Sequence, residues 1–191
     1  KVMIGHRRVG KSYILFQLME LIIEKEKNAN IIYINKEDIE FVDITSYKEL
    51  NEYITVRLVD NRRNYIFVDE IQEIEDFQIA IRSLALDDNN DIYITGSNSQ
   101  MFSSDLANEL GGRYVEFRIE FLDFHDLPNN DESLEKYTRF GGLPYLIHLP
   151  MDESVVMEYI RSVYSTIVLR DVIKRKKIRN TEFLEQLIRF L

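Results

Sequence analysis

The chain has 191 residues, 45% of them hydrophobic and none of them cysteine, which suits one ordinary core with or without a small appendage and excludes disulfides and thiolate zinc sites. A formal net charge of −9 sets the surface against nucleic-acid backbones, so DNA or RNA binding would need a local basic patch. No apolar run approaches the ~20 residues of a membrane helix and no signal peptide is visible, so a soluble cytoplasmic chain without a membrane partner is expected.

Val2-Met3-Ile4 read as a strand, and Gly5-His6-Arg7-Arg8-Val9-Gly10-Lys11-Ser12 follow it, spelling G-x-x-x-x-G-K-[ST]. This is the phosphate-binding P-loop, and all eight residues are candidate contacts to a nucleoside triphosphate. Gly5 and Gly10 permit backbone angles that turn successive N–H groups around phosphate oxygens. Lys11 offers a cation to the β- and γ-phosphates, and the Ser12 hydroxyl is the expected Mg²⁺ ligand. A helix opens at Lys11 and runs to about Lys27, with Ile14, Leu15, Leu18, Leu21 and Ile22 as its apolar face. Its positive dipole end would point at the phosphates.

Ile31-Ile32-Tyr33-Ile34 has the look of a buried parallel strand. Ser46 with Glu49 forms a capping box that opens a helix bearing Tyr47, Leu50, Ile54 and Leu58. Tyr65-Ile66-Phe67-Val68 is the next strand, and Phe77, Ala80, Ile81 and Leu84 mark the next helix. Asp91-Ile92-Tyr93-Ile94-Thr95 runs as a strand into Gly96-Ser97-Asn98. A helix with Phe102, Leu106 and Leu110 stops at Gly111-Gly112, and Tyr114-Val115-Glu116-Phe117 closes the sheet. Strands alternating with helices in this rhythm imply a parallel sheet covered on both faces.

After Phe124 the rhythm changes. Pro128-Asn129-Asn130 and Gly141-Gly142-Leu143-Pro144 break the chain, and Val156, Ile160, Val163 and Ile167 form a helical stripe. The expected division is a P-loop core over 1–124 and, over 125–191, a small helical lid with the start of a further region. Lys1 lies almost inside the first strand and Leu191 falls on the apolar phase of a helix. A piece of a longer protein is therefore expected.

Asp69-Glu70 end the apolar strand Tyr65–Val68. Asp69 fits the Walker B acid that orients hydrated Mg²⁺, and Glu70 fits the general base that polarises the attacking water. Gln72 and Glu73 read as structural. Ile94–Asn98 sets polar side chains at another strand's C-terminal end, where open α/β sheets bind ligands. A side-chain amide there could hold the attacking water, the role called sensor 1, and Asn98 is preferred to Ser97. Ordinary turn chemistry is the competing reading.

Taken together these tracts resemble the AAA+-like P-loop ATPases of bacteria and archaea whose longer members carry a C-terminal domain of unknown function. The resemblance covers essentially the whole chain. It rests on Gly5–Ser12, Ile66–Gln72, Tyr93–Asn98, Gly112–Glu116, Tyr137–Pro144 and Ile167–Val172. It implies a five-stranded core with the sensor strand between the two Walker strands, and ATP rather than GTP. Longer relatives of that kind continue into a winged-helix-like segment and a nuclease-like module.

An arginine often meets transition-state charge on the γ-phosphoryl group. Arg113 leads, presented across an interface in a homo-oligomer, and Arg139 and Arg170 are alternatives. Each reads equally well as half of a surface ion pair. The candidate basic patch is Lys174-Arg175-Lys176-Lys177 with Arg179, which is also how a solvated helix end looks. The expectation is an ATP-binding, Mg²⁺-dependent ATPase coupled to an unknown partner or domain. A slow nucleotide-binding switch is one alternative. A DNA-associated module with a secondary nucleotide site, binding nucleic acid only through regions beyond this chain, is another.

Overall fold

The computed structural model describes residues 1–97, 110–112, 114–127, 133–149 and 152–167, which fall in two compact units, Lys1–Glu120 and Phe121–Leu191. The first unit holds strands β1 (Val2–Ile4), β2 (Asn30–Asn35), β3 (Asn64–Asp69), β4 (Asn90–Gly96) and β5 (Glu116–Arg118). Helices α1 (Lys11–Lys25), α2 (Tyr47–Thr55) and α3 (Phe77–Leu84) connect them. All pairings are parallel in the order β2-β3-β4-β1-β5, so the fold is an α/β P-loop core with β4 inserted between β1 and β3.

Strand alternation sorts the core into two layers. Ile66 and Val68 of β3, Ile92 and Ile94 of β4, and Val2 and Ile4 of β1 pack against α2 and α3. Met3, Tyr65 and Phe67 point the other way and meet Leu15 of α1. The face of α1 is Ile14, Leu15, Leu18, Met19 and Ile22, whereas Leu21 stands 49% exposed at the rim of the stripe. The capping box is present: Glu49 accepts from the backbone N–H groups of Thr45 and Ser46, each at 2.8 Å.

The last strand differs from expectation. It occupies Glu116–Arg118 rather than Tyr114–Phe117, and all three residues are exposed. Among the described residues it pairs with β1 alone, at the sheet edge, and so needs no apolar run. Leu110 packs into the core, while the rest of the helix expected around Phe102 and Leu106 lies outside the described residues.

The second unit contains helices α4 (Ser133–Phe140) and α5 (Glu153–Thr166), with short 3-10 turns at Phe124–Asp126 and Pro144–His148. Gly142 is required by close approach: an added Cβ would lie 1.7 Å from the Leu122 carbonyl oxygen. That crossing is tied by Leu122 N–H donating to Gly142 O at 2.9 Å. Val156 and Val163 are the buried positions of α5. No helix among the described residues is long and apolar enough to cross a membrane.

Candidate functional site

The loop between β1 and α1 is built from two different glycine requirements. Gly10 takes φ 93° and ψ 15°, the left-handed conformation, as the residue that opens α1. Gly5 is needed for space: a Cβ there would sit 2.3 Å from the carbonyl oxygen of Ile119. The second left-handed residue of the loop is Arg8, at φ 66°, and not Gly5 as the sequence suggested. Val9 is buried and anchors the loop, whereas His6 and Arg8 are exposed.

Lys11, the first residue of α1, turns its ammonium back into the loop. The side chain is 4% exposed, and Nζ donates to the Gly5 carbonyl at 3.1 Å and the His6 carbonyl at 2.9 Å. Burial pulls its pKa below the ordinary lysine value, while Glu70 and Asp69 act in the opposite direction. Gly10 supplies no side-chain cap and the first turn of α1 has no acidic residue, so that turn leaves its own positive end uncompensated.

The two acids arrive together by a break in strand alternation. Asp69 follows Tyr65 and Phe67 on the α1 side of the sheet. Strict alternation would send Glu70 to the opposite face. Instead Glu70 adopts φ 54° and ψ 46°, a left-handed bend outside the strand, and its Oε1 lies 3.9 Å from Lys11 Nζ. Both acids are buried, at 2% and 9% exposure. Lys11 and Glu70, far apart in sequence, thus share one buried site at the C-terminal edge of the sheet.

Thr95 ties the acids to each other. Its fully buried hydroxyl accepts from the Glu70 backbone N–H at 3.0 Å and donates to Asp69 Oδ1. One hydroxyl therefore uses both its donor and its acceptor capacity on neighbouring acids. Ser97 Oγ donates to Glu70 Oε2 at 2.8 Å, and the Gln72 side-chain amide donates to the same oxygen. In the sequence Thr95 is one residue of a polar tract, Gln72 reads as structural, and Asn98 is preferred to Ser97. A period-two reading carries the missing signal, because residues 93, 95 and 97 share the face of Phe67 and Asp69.

Asn98 and Arg113 lie outside the described residues, as do Arg170, the 174–177 run and Arg179. Arg139 is paired with Glu153 in the second unit. Arg7 of the loop reaches Glu37 at 3.7 Å. The Tyr33 hydroxyl on β2 is buried without a hydrogen-bond partner, and burial, reinforced by Asp69, Asp38 and Glu37, pushes its pKa up to about 12.

The residues fit a phosphate chain, given a buried cation, a helix end and backbone amides around a left-handed glycine. They fit Mg²⁺ only as a metal shared with phosphate. Ser12 and Asp69 offer a hydroxyl and a carboxylate, and Mg²⁺ commonly fills its remaining positions with phosphate oxygens and water. Among the described residues no group of three or more His, Cys, Asp or Glu could hold a metal by itself.

Asn35-Lys36-Glu37-Asp38 spells Asn-Lys-x-Asp, the base-reading motif of G proteins, so the sequence does not by itself set ATP apart from GTP. These side chains serve their own turn. Asn35 Oδ1 accepts from Glu37 N–H at 2.9 Å, and Asp38 Oδ1 accepts from Glu40 N–H at 3.0 Å. Lys36 Nζ donates to the Phe41 carbonyl and, at 3.4 Å, to that of Val42.

A family model described as an AAA domain matches residues 1–127. An uncharacterized protein of Haemophilus influenzae is 31% identical over 203 residues, covering 100% of this chain and 50% of that protein. An uncharacterized protein of Methanocaldococcus jannaschii is 35% identical over 197 residues, covering 94% of this chain and 43% of its own length. The chain spans about half the length of these curated relatives. AMPPCP-bound DnaA from Aquifex aeolicus is similar at TM-score 0.45 and 18% identity, covering 98% of this chain and 59% of that one. The ORC2 protein of Aeropyrum pernix, in ADPNP-ADP complexes, is similar at TM-score 0.45 and 8% identity, covering 66% and 43%.

Proposed function

This chain belongs to the AAA domain family, and on that premise we propose that it binds ATP with Mg²⁺ and hydrolyses it to drive change in an attached domain or partner. The observation that carries the reading is the convergence of Lys11 and Glu70, both buried and 3.9 Å apart, between the loop and the strand end. A cation for phosphate and a carboxylate for water are the two chemical needs of phosphoanhydride hydrolysis.

In this reading Lys11 and the backbone amides of 5–12 hold the phosphates, and Ser12 and Asp69 hold the metal. The metal, when bound, neutralises charge on the phosphate oxygens. Glu70 takes a proton from the attacking water. Thr95 keeps Asp69 and Glu70 in fixed relation, so neither acid has to reorganise during the reaction. Asn98 as a second water contact and Arg113 as a cation from a neighbouring copy complete the proposal.

The test has a binding arm and a turnover arm. MgATP at ~100 times its dissociation constant should stabilise the protein by about 2.7 kcal/mol, and Lys11→Ala should remove most of that. Glu70→Gln should keep the stabilisation and lose turnover by roughly 10²-fold or more. Equal thermal shifts in wild type and Lys11→Ala would refute the binding site, and wild-type turnover in Glu70→Gln would refute the general base. A larger shift with MgGTP than with MgATP would reverse the choice of base.

A further inference from the structure

Two donors converge on one oxygen of Glu70: the Ser97 hydroxyl at 2.8 Å and the Gln72 amide nitrogen. A carboxylate only accepts, so Gln72 must present its NH₂ end to Glu70, and chemistry fixes which way the amide faces. The other end of that amide, Gln72 Oε1, is buried and has no hydrogen-bond partner. Turning the amide would set its oxygen against the Glu70 carboxylate, two acceptors with no hydrogen between them, and leave Ser97 as the donor to that oxygen.

Gln72 lies two residues from Glu70 on the same turn. It sits in the 3-10 turn Ile71–Glu73, which is closed by Glu73 N–H donating to Glu70 O at 3.1 Å and begins at the left-handed Glu70. The acid and the amide are therefore presented by one rigid turn, with Ile71 fully buried between them. A buried acceptor left without a donor beside a general base calls for a small donor to sit between the two. Water is such a donor, with one hydrogen for each.

We propose that Gln72 Oε1 accepts one hydrogen of the water that Glu70 activates, which makes Gln72 a catalytic residue of the ATPase reaction. The inference rests on the ATPase reading and deepens it. The water oxygen bonds to the γ-phosphorus, and the bond from that phosphorus to the β,γ-bridging oxygen breaks. The bridging oxygen leaves on ADP with the electron pair, and one water proton passes to the Glu70 carboxylate. Gln72 keeps both of its amide hydrogens and accepts a hydrogen bond from the water's other hydrogen. With both hydrogens directed, the lone pair faces phosphorus.

The experiment is steady-state ATP hydrolysis by the full-length protein carrying Gln72→Leu, Ser97→Ala, Glu70→Gln, or Gln72→Leu with Glu70→Gln. The MgATP thermal shift is measured on each as a control for folding and binding. Gln72→Leu should lower kcat by about 10²-fold with KM little changed. Ser97→Ala removes a donor to Glu70 but leaves Oε1 in place, so its loss should be smaller. In the Glu70→Gln background, Gln72→Leu should cost nothing further, because both groups act on one water. Gln72→Met keeps length without the amide and serves where the leucine variant fails to fold.

Wild-type kcat in Gln72→Leu beside an inactive Glu70→Gln would overturn the role of Gln72 and leave the ATPase reading standing. An equal loss from Gln72→Leu in both backgrounds would also overturn it, by marking a structural effect. A wild-type protein that binds MgATP without turning it over would overturn both readings.

Discussion

The Thr95 hydroxyl touches both acids at the strand end. Thr95 Oγ1 donates to Asp69 and accepts from the backbone of Glu70, in a place with no exposure to solvent. Replacing it with valine keeps the shape and β-branching but leaves a buried carboxylate oxygen and a buried N–H unpaired. Orphaned groups of this kind cost about 1–3 kcal/mol each. Thr95→Val should lower the urea midpoint accordingly with an unchanged m-value. It should also lower turnover more than it weakens nucleotide binding, since Lys11 and the loop amides are untouched. A variant with wild-type midpoint and turnover would show that Asp69 and Glu70 hold their places without it. Such a residue is hard to read from sequence, because threonine in a strand is ordinary on propensity alone.

At the scale of elements, the start of α2 gives a pH test. Glu49 accepts hydrogen bonds from the backbone N–H groups of Thr45 and Ser46 and from both hydroxyls, which hold its carboxyl down at about 2. An unfolded glutamate titrates near ~4.3. The folded value is the lower one, so the contribution is complete above the unfolded value and is lost as pH falls towards about 2. Wild type should therefore lose more of its urea midpoint between about pH 5 and pH 3 than Glu49→Gln does. Parallel curves for the two would show that the cap adds nothing there.

This cap was visible in the sequence because its partners lie three residues apart and act locally. So were β2, β3 and β4 from their apolar runs: β3 is buried along its whole length, and β2, at an edge of the sheet, buries Ile32 and Ile34. What escaped was set by distant chain. Gly5 is fixed by Ile119, β5 is an exposed edge, and the bend at Glu70 that gathers the site has no spelling of its own. The P-loop and the Asp69-Glu70 pair were legible because phosphate and metal chemistry restrict residue type. The Thr95, Ser97 and Gln72 contacts were not, because hydroxyls and amides are common in turns.

For the whole molecule, the sheet order separates near neighbours in sequence from near neighbours in space. β2 and β3 pair across a short stretch, Asn30 with Asn64, whereas β1 pairs Val2 with Ile94 on one side and with Glu116 on the other. Long loops must close before such distant parallel pairs form, which makes them slow. Pulse-labelled hydrogen exchange during refolding should protect amides of β2 and β3 before those of β1. Simultaneous protection of all three would mean a single concerted nucleus instead.

The place of β4 between β1 and β3 has a consequence on the ribosome. β1 and the phosphate loop emerge before β4, the strand that seats one side of β1, has been made. At about 5–20 residues per second, on the order of ten seconds separate the two. Through that interval the loop has its full sequence and no frame. A nucleotide bound as proposed would therefore meet a framed phosphate loop only after β4 is in place.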